Sequence, residues 1–274
     1  MRRFTLEGEH IETRLLAPPP ADDYGLLQPF MLFPDGTGVA TRGLISDAVA
    51  SGRIRMVPTL RIDRTGRILD TLFQFPAERT GVKIVLGSGV MSTGHPFPDY
   101  PLTVFTADGR RMAIIERQAA PAGVEEASFR VTVTTLSHDT LYSRSYRYSP
   151  VPIPAEVVDR VVDRLVAGAG GMLGGPLEAE RKIREALDAP ASYPPVTTAL
   201  FADDGSLWLR REARDGAEDQ LWEVYDPDGE PVAAVRMPAR ITVHLIHQGV
   251  VWGVELDELD VPYVVAYRIE RGGR

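Results

Sequence analysis

The chain has 274 residues, 44% of them hydrophobic, which is enough to bury a sizeable core. Its net charge is −8, so no overall basic field draws it to nucleic acid or to an anionic membrane. It lacks cysteine, which excludes disulfides, thiolate metal sites and a cysteine nucleophile, and it lacks asparagine, which removes Asn-based ligands and caps.

The N-terminus, "MRRFTLEGEH", has two arginines but no apolar run behind them, so it does not read as a signal peptide. Nor does the chain contain 18 consecutive apolar residues, so no membrane span is expected. Compartment stays open, an extracytoplasmic location included if coding sequence upstream of residue 1 is missing.

Hairpins dominate the rest. "RRFTLEGEHIETRLLAP" (2–18) turns at Gly8, and "FMLFPDGTGVATR" (30–42) sets Asp35-Gly36 between two apolar runs. "PTLRIDRTGRILDTLFQFP" (58–76) turns between Asp63 and Gly66, and "LTVFTADGRRMAIIER" (102–117) repeats the Asp-Gly turn at Asp108-Gly109. In "FRVTVTTLSHDTLYSRSY" (129–146), His138 stands where glycine is expected. "FADDGSLWLR" (201–210) turns at Asp204-Gly205, and "LWEVYDPDGEPVAAVRMP" (221–238) has the Asp226-to-Gly229 spacing of Asp63 to Gly66. "ITVHLIHQGVVWGVE" (241–255) keeps Gly249, and "VPYVVAYRIERGG" (261–273) begins another copy that stops short. Asp-Gly supplies the positive φ values of a tight turn, so each copy reads as two antiparallel strands.

Two hairpin types alternate, and one of each makes a four-stranded antiparallel sheet. Such a sheet must stack on neighbours, which is the logic of a β-propeller. The expected fold is all-β: a single propeller domain over residues 1–274 with about four to five four-stranded blades, the last lacking its outer strand. Either the N-terminal strands complete that last blade, or the chain is a fragment whose opening blades lie upstream.

One segment breaks the pattern, a helical-hairpin insertion at about 154–188. In "PIPAEVVDRVVDRLVAGAGG" (152–171), Val157, Val158, Val161, Val162, Leu165 and Val166 recur at helical spacing, with Pro154 and Gly168 as punctuation. "PLEAERKIREALDAP" (176–190) predicts a second helix with Leu177, Ile183 and Leu187 inward.

"YPPVTTALFADDGSLWLR", "LWEVYDPDGEPVAAVRMP" and "VVWGVELDELDVPYVVAYRI" resemble the closing blades of bacterial six-bladed β-propeller proteins of NHL-like type, and "PFPDYPLTVFTADGRRMAIIER" is similar too. The resemblance covers most of the chain, but its motifs are structural. It implies a fold and carries no catalytic residue. The chain departs from the family at its N-terminus, where the opening blades are missing.

Most candidate chemistry has a plainer reading. His244 and His247 are three apart in a strand, which sends them to opposite faces and argues against a shared metal. "SHD" (137–139) has the letters of a triad, but neighbours at a turn cannot form its relay. "LGSGV" (86–90) lacks the spacing of a nucleophile elbow. "GAGGMLGG" (168–175) follows a helix and lacks the Lys-Ser/Thr of a phosphate loop. Trp208 and Trp252 each lie three residues past a turn glycine, and with Trp222 they are expected to fill gaps between blades. Glu255, Asp257, Glu258 and Asp260 read as a solvated acidic loop, since the spacing of a calcium loop is absent.

One constellation is less plain. Loops joining strands two and three, and loops leading into each blade, crowd one face of a propeller. Arg42 and Arg211 follow their turn glycines by six residues, with Arg117 and Arg210 nearby. Tyr100 and Tyr193 lie in the Pro-flanked loops "DYP" and "YPP". Guanidinium and phenol groups suit an anionic or peptide ligand, the competing reading being that these arginines pair within and between blades. The expected function is a non-enzymatic binding or protein-interaction scaffold using this face, with no cofactor or metal, and with a protein, a peptide or a small anion as partner. The alternative is a hydrolase or lactonase-type propeller with a central metal. Fold alone decides neither.

Overall fold

A computed structural model describes residues 2–4, 9–13, 24–44, 48, 52–86, 89–169, 176–212 and 217–269. Gly8 and residues 14–18 of the first hairpin, Ser88 of "LGSGV" and 170–175 of the glycine-rich segment lie outside them.

The chain falls into two compact units, Met1–His95 and Pro96–Arg274. In the first, β1 (Arg2–Phe4) pairs with β2 (His10–Thr13) as a sheet of their own. The strands β3 (Leu27–Leu32), β4 (Gly38–Arg42), β5 (Met56–Ile62) and β6 (Ile68–Pro76) make a four-stranded antiparallel meander. A further hairpin, β7 (Gly81–Leu86) and β8 (Gly89–Gly94), forms a two-stranded sheet that the sequence reading had not anticipated.

The second unit opens with the meander β9 (Leu102–Phe105), β10 (Arg111–Glu116), β11 (Ala127–Thr135) and β12 (Thr140–Tyr148). Helices α1 (Ala155–Ala169) and α2 (Pro176–Leu187) follow. The next meander is β13 (Val196–Phe201), β14 (Leu207–Arg211), β15 (Asp219–Tyr225) and β16 (Pro231–Pro238). The last sheet has three strands, β17 (Thr242–His247), β18 (Val250–Leu256) and β19 (Pro262–Arg268). The fold is thus all-β and built of propeller-type antiparallel blades, among the described residues three with four strands and one with three. Within the second unit the innermost strands β9, β13 and β17 lie in sequence, with β13 against both others.

The turns explain the repeat. Gly36, Gly109, Gly205 and Gly249 in the inner hairpins, and Gly66 and Gly229 in the outer ones, all have positive φ. Asp35, Asp63, Asp108, Asp204 and Asp226 each accept the amide of the residue two positions on through Oδ1, closing an Asx turn. Where glycine is missing the geometry persists. His138 takes φ 69°, and Thr135 Oγ1 replaces the carboxylate as acceptor for Ser137 and Asp139 amides.

Apolar side chains alternate into the gaps between blades. One core joins the second and third meanders through Ile115, Val131, Val133, Val196, Leu207 and Leu209. Another joins the third meander to the three-stranded blade through Trp208, Trp222, Met237, Ile241, Ile246 and Val251. In the first unit Ala48, Ile54, Val57 and Ala77 form a smaller cluster.

The helical hairpin occupies the expected place between two blades. Its valine stripe is half-buried with Val162 fully buried, and Arg184 Nη2 on α2 bonds Asp159 Oδ1 on α1 at 2.8 Å. Two details differ from expectation. Gly168 lies inside the last turn of α1, not beyond it. Leu177 is 84% exposed, because the inward row of α2 is Ala179, Ile183 and Leu187 at spacing four, and Leu177 lies about 200° around from Ala179.

Candidate functional site

Antiparallel pairing brings the start of each inner strand beside the end of its second strand. The six side chains expected at the loop face all stand at such ends. In the first unit Arg42 is buried at the end of β4, donates through Nη2 to the carbonyls of Tyr24 and Gly25 at 3.4 and 3.2 Å, and lies 5.0 Å over the Tyr24 ring. In the second unit Arg117 repeats the arrangement. It is buried, donates through Nε to Tyr100 O at 2.9 Å, and lies 5.6 Å over the Tyr100 ring. Its Nη1 reaches the next blade and donates to Val196 O at 3.0 Å.

The third meander departs from this pairing. Tyr193 packs edge-on against Phe97, at 6.1 Å between centroids. Arg211 stacks over Phe129 and Tyr148 of the preceding blade at 4.8 and 5.4 Å, and its Nη1 pairs with Glu223 Oε2 at 3.4 Å. Tyr225 donates its hydroxyl to the same Glu223 oxygen at 2.6 Å, and burial together with that carboxylate raises the phenol well above its ordinary range. Arg210 donates to Thr197 Oγ1 at 2.7 Å and to Gln220 Oε1 at 3.4 Å, and burial lowers its pKa. Gln220 in turn donates to the carbonyls of Pro238 and Ile241 and accepts from Trp222 Nε1. The structure therefore joins Tyr100 to Arg117, while in the same unit Arg210, Arg211 and Tyr193 each contact different partners. Sequence reading missed Tyr24, Gln220 and Glu223. For Tyr24 a signal existed, since it precedes Arg42 by 18 residues much as Tyr100 precedes Arg117 by 17.

An aromatic clasp fixes the same two blades at their rim. Tyr146 packs on Tyr225 at 4.4 Å and donates its hydroxyl to Gly229 O at 2.6 Å, and burial pushes its pKa up to about 12. Beside it Arg144 pairs with Glu230 at 2.6 Å.

The last blade differs from its sequence reading in three ways. A bulge between Val243 and Leu245 breaks the strand parity, so His244 and His247 are both exposed instead of facing opposite ways. On β18 Val251 packs toward the third meander, so Trp252 alternates to the opposite face beside Leu245, and that face is open: Trp252 is 42% exposed while Trp208 and Trp222 are buried as expected. And Glu255 is no part of a solvated loop. It is 1% exposed, accepts the hydroxyls of Tyr267 and Tyr263 at 2.6 and 2.9 Å, and pairs with Arg240 at 2.9 Å. Asp257 caps the following turn, whose Asp260 takes φ 59°.

Those bonds, that of Tyr267 first, hold the Glu255 carboxylate below its usual range. A carboxylate lowered on folding stabilises the protein above its unfolded pKa and loses that contribution as pH falls through the folded value. The wild-type melting temperature is therefore expected to fall more steeply than that of Glu255→Gln from neutral pH into the acid range. Parallel pH profiles in a thermal melt would show that the network has no such role.

Among the described residues no three His, Asp or Glu side chains gather as a metal-binding group, and no helix is long and apolar enough to cross a membrane. No protein-family model matches the chain, and no curated protein matches it. Two solved structures are similar over most of its length. One is the β-propeller domain of the Trilobed protease from Pyrococcus furiosus, described as having an open velcro topology. It is 7% identical at a TM-score of 0.38, over 89% of this chain and 56% of that one. The other is a eukaryotic initiation factor, 8% identical at a TM-score of 0.36, over 84% of this chain and 35% of that one. The chain thus spans between about a third and just over half the length of these two.

Proposed function

We propose that the chain is a non-enzymatic protein-interaction scaffold of β-propeller type that engages a partner by strand addition at β19. One observation carries this reading: the last blade ends in a strand with no neighbour on its outer side among the described residues. Hydrogen bonds from Asp257 N to Val261 O and from Ile269 N to Gly249 O fix the phase of the β18–β19 ladder. Alternation then directs the outward backbone groups of Val264, Ala266 and Arg268 to the open edge. The outermost strands of the other blades carry a charge inside the strand, Asp70 in β6, Arg144 in β12 and Arg236 in β16. By contrast β19 reads Pro-Tyr-Val-Val-Ala-Tyr before its final Arg268, without the charge that blunts an edge. Its exposed face adds Val264, Trp252 and Leu245, an apolar patch of the kind proteins use for association.

The partner this geometry fits most simply is a second copy of the chain, since identical edges pair antiparallel about a two-fold axis. In the same proposal Arg42, Tyr100, Arg117, Tyr193, Arg210 and Arg211 chiefly hold the blades. A small anion or peptide at the loop ends of the second unit that carry Tyr100, Arg117, Tyr193, Arg210 and Arg211 is the subsidiary part, supported by guanidinium and phenol chemistry. The NHL-like, six-bladed character belongs here too, supported by the repeated hairpin motifs.

Light scattering after gel filtration over a range of concentrations tests the main claim. Wild-type protein is expected to shift toward a dimer as concentration rises. Ala266→Pro removes one outward N–H and no bond to β18, and is expected to stay monomeric with its melt little changed. A wild type that is monomeric throughout, or a variant that associates equally, would count against strand addition.

A further inference from the structure

At the hairpin-turn end of the second unit, away from the loop face, the ends of three consecutive inner strands border an open pocket of about 450 Å³. The Thr106–Arg110 turn, the Phe201–Gly205 turn and the end of β17 line it. Its size is that of a small-molecule site.

The turns that build it are stitched across blades. Asp203 Oδ2 pairs with His247 Nδ1 at 2.7 Å, and the same carboxylate accepts the Gln248 amide at 3.1 Å. Asp203 N donates to Ile246 O at 3.2 Å. The Phe201–Gly205 turn and the turn after β17 are thus locked together, and His247 is held by one ring nitrogen.

Two opposite charges on this lining are left unsatisfied by the protein. The Arg111 guanidinium makes no hydrogen bond or ion pair among the described residues. Its Nη1 reaches across to the next blade's turn, 3.7 Å from where a Cβ on Gly205 would stand. Asp204 spends Oδ1 on the amide and hydroxyl of Ser206, at 2.9 and 2.6 Å, and Oδ2 has no partner among the described residues. Arg111 and Asp204 do not pair with each other, yet both line the cavity. Asp108 and Arg110 also line it and pair at 3.4 Å. Phe201 and Leu245 supply an apolar part.

This combination selects against simple ions. A dianion such as phosphate would meet the carboxylates of Asp108, Asp203 and Asp204, and a simple cation would meet Arg111. A ligand with both charges and an apolar body satisfies the lining. We infer that the pocket binds a zwitterion of the amino-acid or short-peptide class, its carboxylate on Arg111, its ammonium on Asp204 and its apolar side chain toward Phe201 and Leu245. The site is separate from the β19 edge, so it stands or falls independently of strand addition.

Isothermal titration calorimetry on the full chain tests it with four probes: leucyl-leucine, its N-acetyl derivative, its C-terminal amide, and inorganic phosphate. The free dipeptide is expected to bind. Each blocked form loses one charge-assisted interaction and is expected to bind about tenfold more weakly or worse, and phosphate is expected to give no heat. Arg111→Gln should weaken the dipeptide by a similar factor while its melt stays that of the wild type, because the side chain has no protein partner to lose. A blocked dipeptide or phosphate binding as tightly as the free dipeptide would overturn the inference. So would the absence of any dipeptide heat at millimolar concentration, or an Arg111→Gln protein that binds as the wild type does.

Discussion

Replacing Trp222 by alanine is expected to cost about 4 kcal/mol of stability, the largest loss of any single substitution considered. The indole is 1% exposed, inside the core between the third meander and the last blade. It also donates to Gln220 Oε1 at 3.2 Å, the acceptor that Arg210 shares. Truncation leaves a cavity between two blades that cannot close without moving both sheets. Trp252→Ala, in an exposed position opposite Leu245, is expected to change the stability of the monomer by less than about 1 kcal/mol. Denaturant unfolding of both variants checks the pair. Equal losses would mean that the two indoles share one environment, contrary to the burial of Trp222 and the exposure of Trp252.

Arg117→Met is expected to cost about 3 kcal/mol. The substitution keeps most of the apolar stem and removes the donors to Tyr100 O, within its own blade, and to Val196 O, on the next, both at a buried site. Hydrogen bonds from charged groups contribute roughly 1.5–3 kcal/mol each, and the abandoned carbonyls lose their partners. Lysine should recover only part of the loss, because an ammonium cannot reproduce the fork that reaches both carbonyls. A side chain kept only for a ligand would give the opposite result: an unchanged melt for Arg117→Met, with any effect confined to binding.

The turns were readable from sequence because positive φ restricts the residue choice. Gly36, Gly66, Gly109, Gly205, Gly229 and Gly249 all stand where the repeat placed them, and they fix strand order and the blades. The helical hairpin was readable through its valine period. What tertiary neighbours decide was not. Whether Arg117 meets a ligand or a carbonyl depends on Val196, 79 residues away, and the partner of His247 is Asp203, 44 positions before it. The exposure of Trp252 leaves no mark in "ITVHLIHQGVVWGVE", since it stands three residues past a turn glycine just as buried Trp208 does, and only what packs on that face differs. Glu255 reads as acidic loop until the tyrosines of β19 fold over it. The β7–β8 hairpin did have a signal, stretches with β-branched residues either side of Gly-Ser-Gly.

Strand addition at β19 has a direct readout in amide hydrogen exchange measured at low and high protein concentration. The outward amides of Val264, Ala266 and Arg268 are expected to exchange freely in dilute protein and to become protected as concentration rises. Those of Tyr263, Val265 and Tyr267, already bonded to β18, should change little. Equal exchange of the outward amides at both concentrations would contradict the pairing of β19 with a second copy.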